Sequence, residues 1–256
     1  MFPLRDDNPH FLTPFTTIGL IVANAVSWIF LQGMGAEPAL SASVCRYGLV
    51  AGRVLGTLPD GYRLALSPDI SCVLGGSHFP NLFSSMFMHG GWLHLIGNMW
   101  FLWVFGNNVE DAMGHIRFLV FYLLSGIAAA VTQVVLSGSA EVPMVGASGA
   151  IGGVMGGYIM LYPRVSVHML IFLGFFVTTV AVPAFFMLAY WFVLQLLGGF
   201  SALGHTGAGV AFWAHIGGFV AGAVLVYVFR RPELLRRHPY YGWRQRPNQK
   251  RWRRLG

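Results

Sequence analysis

The sequence predicts an all-α, polytopic membrane protein: a bundle of six transmembrane helices with a long first extracytoplasmic loop. Of its 256 residues, 55% are hydrophobic and 10% are charged, whereas soluble domains carry about 25% charged residues. The mean hydropathy is +0.62. Apolar runs recur along the chain, most of them close to the length of about 20 residues that a helix needs to cross a bilayer. These observations argue against an ordinary soluble domain.

Six apolar runs are candidates for spanning helices. The first begins near residue 12 behind a short polar head and lacks a cleavage site of the A-x-A kind, so we interpret it as a retained helix. The segment 168–180 is too short to span alone. Apolar residues alternate from Val165 to Leu173 with a period nearer two than 3.6, which indicates an interfacial strand or loop. The predicted spans are 13–33, 92–109, 116–137, 148–162, 182–199 and 213–229.

The distribution of basic residues predicts the orientation of these spans. Ten of the sixteen Lys and Arg residues lie within 230–256, and the positive-inside rule places such a tail in the cytoplasm. Six spans put both termini there, whereas a seventh would carry the tail outside. We therefore expect residues 1–229 to form a membrane domain and 230–256 a basic cytoplasmic tail, in a bacterial cytoplasmic membrane. A tail that directly follows a membrane helix favours contact with the lipid bilayer over a nucleic-acid partner.

The long loop, 34–91, holds both cysteines of the chain, Cys45 and Cys72. They could pair in an extracytoplasmic loop, but two cysteines define neither a disulfide framework nor a metal site. The glycine-rich segment around His205 could act as a lid over a cavity. Three tryptophans near span ends are interpreted as interfacial anchors: Trp92, Trp191 and Trp213.

Polar residues at the outer ends of three spans are the candidate functional residues, because polar side chains within a membrane are costly. Spans two, four and six all run from outside to inside, so their first turns lie at one depth. Those turns carry His94, Asn98, Ser148 and His215.

Small residues predict which of these spans pack together. A small residue recurs every fourth position from Ser148 to Gly156, and again from Ala214 to Gly222. Such stripes let two helix backbones approach closely in lipid. If spans four and six pack through them, Ser148 and His215 come within reach of each other. Span four is about 22 Å long at 1.5 Å per residue, which is shorter than the hydrocarbon core of about 30 Å. We therefore expect Ser148 in a water-accessible pit below the outer surface.

These residue types favour nucleophilic catalysis. A serine hydroxyl needs a base to take its proton, and His215 is the candidate base. A tetrahedral intermediate needs donors for its oxyanion. His94, Asn98 and the free N–H groups at the start of span four are suitable donors. Asp and Glu are absent from the outer ends of these spans, so we expect a Ser–His dyad without a carboxylate, a metal or another cofactor.

Three motifs in this order resemble the rhomboid family of intramembrane serine proteases. They are "HGGWLHLIGNMWFLWVFGNNVED" at 89–111, "GASG" at 146–149 and "AHIGGFVAG" at 214–222. The resemblance extends over nearly the whole chain, from "PLRDDNP" near the start to the six-span layout.

The resemblance implies a six-helix bundle that cleaves other membrane proteins at or near their transmembrane helices. It implies that Ser148 is the nucleophile and His215 the general base. His94, Asn98 and the Ser148 N–H would form the oxyanion hole, with His89, Gly146 and Gly149 in support. Many rhomboids have a tyrosine four residues after the nucleophile, against which the histidine stacks. Gly152 occupies that position here, so the sequence does not show which side chain holds the ring of His215. A Trp-Arg pair common in the first loop is also absent.

Other classes of function stay open on the sequence. A transporter could line a polar path with these side chains, although their clustering at the outer ends argues against it. A metal or haem site could use His89, His94 and His215, but the neighbourhood lacks further ligands. A non-catalytic binding partner of membrane proteins would make Ser148 dispensable. The oligomeric state is not predicted.

Overall fold

The computed structural model describes residues 2–67, 70–76, 78–136, 141–173, 176–202, 210–236 and 238–243. The segment around His205 and the tail beyond residue 243 lie outside the described residues, and so do the predictions made for them. The described chain is mostly helical. Its long helices are α1 (Phe15–Val26, continued by a π-helical turn at Ser27–Leu31), α5 (Trp92–Met113), α6 (His115–Leu136), α7 (Ser148–Leu161), α8 (Ala184–Ser201) and α9 (Phe212–Phe229).

Three of these helices, α6, α8 and α9, are long and apolar enough to cross a membrane by length and composition. The run Phe15–Leu31 and helix α7 are apolar but shorter. Helix α5 continues to Met113, beyond its predicted end at residue 109. The extension contains Glu110 and Asp111, which are buried and are tolerated there because both carboxylates have hydrogen-bond donors.

The carboxylate of Glu110 caps the start of α1. Pro14 precedes that helix and contributes no side-chain cap. Glu110 instead accepts the backbone N–H groups of Thr16 at 2.9 Å and Thr17 at 2.8 Å, as well as the Thr17 hydroxyl at 2.7 Å. The open N–H groups of a helix N-terminus favour negative charge. This contact therefore fixes the start of α1 against the C-terminal end of α5.

Helix α7 forms the centre of the bundle, since eleven of its fourteen residues are buried. It lies against α9 at backbone contact. A Cβ on Gly218 would overlap the carbonyl of Gly149, and one on Gly222 would overlap the carbonyl of Gly153. The predicted packing of these two helices through their small residues is confirmed. This contact sets the distance between the first turns of α7 and α9.

The expectation of an all-α fold is wrong in one respect, because the described chain also forms two sheets. Strands β1 (Phe2–Asp6), β4 (Ser166–Leu173) and β5 (Phe176–Pro183) form an antiparallel sheet in the order β1-β4-β5. The alternation from residue 165 reflects this sheet, and Val167 and Met169 are buried. A chain segment too short to span satisfies its backbone groups by pairing instead, so of the two predicted alternatives, a strand or a loop, the strand is confirmed.

The second sheet is a hairpin in the long loop, formed by β2 (Tyr62–Ser67) and β3 (Ile70–Leu74). Short helices flank it: α2 (Ala39–Tyr47), α3 (Ala51–Val54) and α4 (Asn81–Ser84). A disulfide joins Cys45 in α2 to Cys72 in β3, which answers the question that the sequence left open. Leu64 and Leu74 pack with Cys72 in a small separate core.

The residues that follow α9 pack against the end of the bundle at which α5 ends. Helix α10 (Pro232–Leu235) follows α9 directly. The N–H of Arg231 donates to the carbonyl of Ala112 at 2.8 Å, and His238 Nε2 lies 2.7 Å from Asp111 Oδ2. Residues 230–236 and 238–243 therefore pack against the helices of the bundle.

Candidate functional site

The first turns of α7 and α9 bring Ser148 and His215 together. Ser148 is the first residue of α7, and His215 lies in the first turn of α9. The Oγ of Ser148 is 2.8 Å from the Nε2 of His215. A hydrogen bond of this length lets the hydroxyl donate to a neutral imidazole and pass its proton across.

Gly152 lies one helical turn after Ser148 in α7 and faces the backbone of α9. A Cβ on Gly152 would be 3.0 Å from the carbonyl oxygen of His215 and 3.5 Å from the backbone nitrogen of Phe219. A large side chain at this position would push the two backbones apart. Gly152 therefore lies against the backbone of α9, and its lack of a side chain lets the two helices approach at this level.

The ring of His215 is held from α8 instead. Its Nδ1 lies 2.8 Å from the Oε1 of Gln195, and the ring packs at 5.8 Å between centroids against Trp191, tilted by 38°. Trp191, which the sequence suggested as an interfacial anchor, thus contacts the ring of His215. Gln195 is absent from the residues that the sequence singles out. Its signal is present all the same, since a polar amide inside an apolar span is a functional candidate by default.

His94 lies beside Gly146, which precedes Ser148 by two residues. The Nδ1 of His94 accepts the N–H of Gly90 at 3.3 Å, so the neutral ring carries its proton on Nε2. A Cβ on Gly146 would be 2.8 Å from both Cε1 and Nε2 of His94 and 3.5 Å from Ser148 Oγ. The open side of Gly146 is thus flanked by a donor and a hydroxyl. Its φ of +130° also disfavours other residues there.

Asn98 follows His94 by one turn of α5 and is 7% exposed. Within the described part of the chain, its Nδ2 has no hydrogen-bond partner. Most buried polar groups are paired, so an unpaired buried donor calls for an explanation. A bound oxygen atom would provide one.

His89 supports His94 from the loop before α5. The two rings pack edge to face at 5.2 Å. Gln32 holds the backbone of His89 on both sides: its Nε2 donates to the His89 carbonyl, and its Oε1 accepts the His89 N–H, both at 2.7 Å. Burial, followed by the charge of His94, lowers the pKa of His89 to about 3, so this ring is neutral at physiological pH. Gln32 is a second amide that the sequence does not single out.

A narrow cleft adjoins Ser148 between α6 and α7. Small residues dominate its walls: Gly126, Ala129, Ala130, Gly146, Gly149 and Ala150. A Cβ on Gly149 would be 2.6 Å from that of Ala129, so this glycine lets α6 approach close to Ser148. Ser148 itself is among the residues that line this cleft.

Comparison with known proteins identifies the family. Residues 77–232 match the model of the Rhomboid domain. The chain belongs to the rhomboid family. With its apolar helices, this makes it an integral membrane protein. The matched region contains the candidate site residues on α5, α7, α8 and α9, but not Gln32.

Several rhomboid-like proteins are similar to the chain. It is 31% identical over 175 residues to RHOMBOID-like protein 4 of Arabidopsis thaliana, an alignment covering 68% of this chain and 39% of the relative. It is 32% identical over 162 residues to RHOMBOID-like protein 5 of the same plant, covering 63% and 46%. It is 31% identical over 96 residues to the mitochondrial Rhomboid protein 1 of Saccharomyces cerevisiae, covering 36% and 28%. The chain thus spans less than half the length of each. These plant and yeast relatives give no support to a bacterial origin.

Proposed function

We propose that this rhomboid is an intramembrane serine endopeptidase that cleaves transmembrane or membrane-proximal segments of other membrane proteins. The observation that carries the proposal is the 2.8 Å contact between Ser148 Oγ and His215 Nε2. It joins a nucleophile to a base at the first turns of two helices within a rhomboid domain.

The proposed reaction proceeds through an acyl-enzyme. Nε2 of His215 accepts the hydroxyl proton of Ser148 as Oγ attacks the carbonyl carbon of the scissile peptide bond. The protonated ring then donates that proton to the leaving amine. Water, deprotonated by the same nitrogen, hydrolyses the ester and restores Ser148.

The oxyanion of the tetrahedral intermediate needs preorganised donors. We assign this role to the Nε2–H of His94, the Nδ2 of Asn98 and the backbone N–H of Ser148. The position of His94 beside Gly146 and the unpaired amide of Asn98 among the described residues support the assignment. The N-terminus of α7 adds a favourable dipole for negative charge.

The proposed topology has six spans, formed by the run Phe15–Leu31 and helices α5 to α9, with both termini in the cytoplasm. Residues 1–229 then constitute the membrane domain and 230–256 a basic cytoplasmic tail. The disulfide between Cys45 and Cys72 supports an extracytoplasmic location for the long loop, because disulfides persist in oxidising compartments. The concentration of basic residues in the tail supports the opposite side for that segment.

Labelling by a fluorophosphonate probe in detergent, together with cleavage of a model transmembrane substrate in proteoliposomes, tests the proposed function. Wild type is expected to label and cleave, whereas Ser148→Ala and His215→Ala are expected to do neither. Ser201→Ala, at an exposed serine of α8, is the matched control and should behave like wild type. Cleavage by Ser148→Ala would refute the mechanism. Flux of a small solute without cleavage would favour a transporter, and substrate binding without cleavage a non-catalytic partner.

A further inference from the structure

The imidazole of His215 makes two hydrogen bonds, one more than a Ser–His pair requires. Nε2 faces Ser148, and Nδ1 faces the Oε1 of Gln195, both at 2.8 Å. Gln195 is 9% exposed and lies on α8, a helix that contributes neither member of the pair. A buried amide in an apolar helix is costly unless its polar atoms are paired.

The second polar atom of Gln195 fixes which way its amide points. Its Nε2 donates to the carbonyl oxygen of Trp191 at 3.4 Å, one turn earlier in α8. If the amide were reversed, its oxygen would face that carbonyl oxygen, and two acceptors would oppose each other. The backbone of α8 therefore directs Oε1 towards His215.

An acceptor at Nδ1 determines the tautomer of the ring. The neutral imidazole carries one proton. When Oε1 of Gln195 accepts it at Nδ1, Nε2 is left with its lone pair towards the Ser148 hydroxyl. The other tautomer would place N–H against O–H and leave the amide oxygen without a donor. A histidine in that tautomer cannot act as base.

We propose that Gln195 is a positioning residue for the dyad, replacing with a hydrogen bond the aromatic support that Gly152 cannot provide. The inference rests on the proposed function of Ser148 and His215 and extends it to α8. When His215 takes the Ser148 proton, both ring nitrogens carry protons and Oε1 of Gln195 continues to accept the one on Nδ1. A shift of α8 relative to α9 would therefore change the orientation of the base.

The test compares two substitutions of similar size at this position. Gln195→Met removes the acceptor and keeps the volume, whereas Gln195→Glu keeps an oxygen acceptor. Steady-state cleavage should show kcat lowered about tenfold in Gln195→Met, the value of one hydrogen bond in the transition state, with KM unchanged. Gln195→Glu should recover most of that loss. Ser201→Ala controls for substitution on α8.

A second readout reports the ring itself, by nitrogen NMR of protein labelled with ¹⁵N-histidine and assigned by comparison with His215→Ala. Wild type at neutral pH should show the Nδ1–H tautomer at His215, and Gln195→Met should lose this preference. An unchanged kcat or an unchanged tautomer in Gln195→Met would each overturn the inference. If wild type neither labels nor cleaves, the proposed function is wrong. The NMR comparison of wild type with Gln195→Met still shows whether Gln195 orients the ring of His215.

Discussion

The ring of His94 lies directly over the open face of Gly146. A Cβ built on this glycine would be 2.8 Å from the Nε2 and Cε1 of the ring, closer than ordinary contact allows. The same point is 3.5 Å from Ser148 Oγ. The space beside Gly146 is therefore bordered both by His94, the proposed oxyanion donor, and by Ser148, the proposed nucleophile.

Gly146→Ala should lower kcat about 10²-fold, the loss expected when a catalytic group is displaced by about 1 Å. The added methyl group displaces His94, and the φ of +130° adds backbone strain. Steady-state cleavage and probe labelling measure the effect. Gly19→Ala is the matched control, since a Cβ there meets no atom within 4 Å. Equal activity of the two variants would show that the space beside Gly146 is not used.

Removing a proposed oxyanion donor should act on kcat rather than on KM. His94→Ala and Asn98→Ala are each expected to lower kcat by about 10²- to 10³-fold, because the donors stabilise charge that develops in the transition state. His10→Ala removes an imidazole ring at an exposed position and is the control for loss of a histidine outside the site. A rise in KM at constant kcat would assign the two residues to substrate binding instead.

Gly218→Ala should destabilise the bundle and impair the site together. The methyl group would overlap the carbonyl of Gly149, and overpacking of this kind costs about 1–3 kcal/mol. Thermal unfolding in detergent should show a lower Tm, and probe labelling should fall because α9 carries His215. Gly97→Ala, where a Cβ meets no atom within 4 Å, should unfold no earlier than wild type. An unchanged Tm in Gly218→Ala would contradict the close packing of α7 and α9.

The carboxyl of Asp6 on β1 should make stability depend on pH. Burial raises the pKa of Asp6 to about 7 against the lowering effect of its hydrogen bond from Tyr158, and Asn108 Nδ2 donates to it at 2.9 Å. The folded state therefore holds a proton that the unfolded state releases near pH 4. The resulting destabilisation of the folded state is absent below pH 4, increases between pH 4 and pH 7, and reaches its full size above pH 7.

Asp6→Asn should remove that destabilisation, because the amide is never charged. Its Tm should match wild type at pH 4 and exceed it at pH 8, by about 2–4 °C for each 1 kcal/mol removed. Glu233→Gln, at an exposed carboxylate of α10, controls for the change in net charge. A Tm difference between Asp6→Asn and wild type that stays constant from pH 4 to pH 8 would contradict the buried acid.

The disulfide between Cys45 and Cys72 should stabilise the long loop and report its side of the membrane. Cross-linking across 27 residues contributes about 3–4 kcal/mol by chain entropy, so Cys45→Ser with Cys72→Ser should lower the Tm of the protein. After mild reduction of intact cells, a membrane-impermeant maleimide should label the wild type. Labelling that requires permeabilised cells would place the loop inside and contradict the proposed topology.

Much of the framework could be predicted from local sequence. The helix positions follow from runs of apolar residues, because a chain in lipid must satisfy its backbone internally. The small-residue stripes identified the α7–α9 contact, and that contact predicted the approach of Ser148 and His215. The alternation after residue 165 indicated a strand. This alternation does not indicate that β1 is the partner strand. The two segments lie more than 160 residues apart, and pairing over that distance leaves no local pattern.

The class of protein, the spacing of its small residues and the polar side chains at three helix ends can be read from the amino-acid sequence. The side chains that surround His215 depend on how the helices pack in three dimensions. The rotation of α8 about its axis turns Gln195 and Trp191 towards α9, and a uniformly apolar helix carries no periodic signal that fixes this rotation. Gln32 likewise reaches His89 only through folding of the long loop. Hydrogen bonds between distant segments depend on packing, which a one-dimensional pattern does not encode.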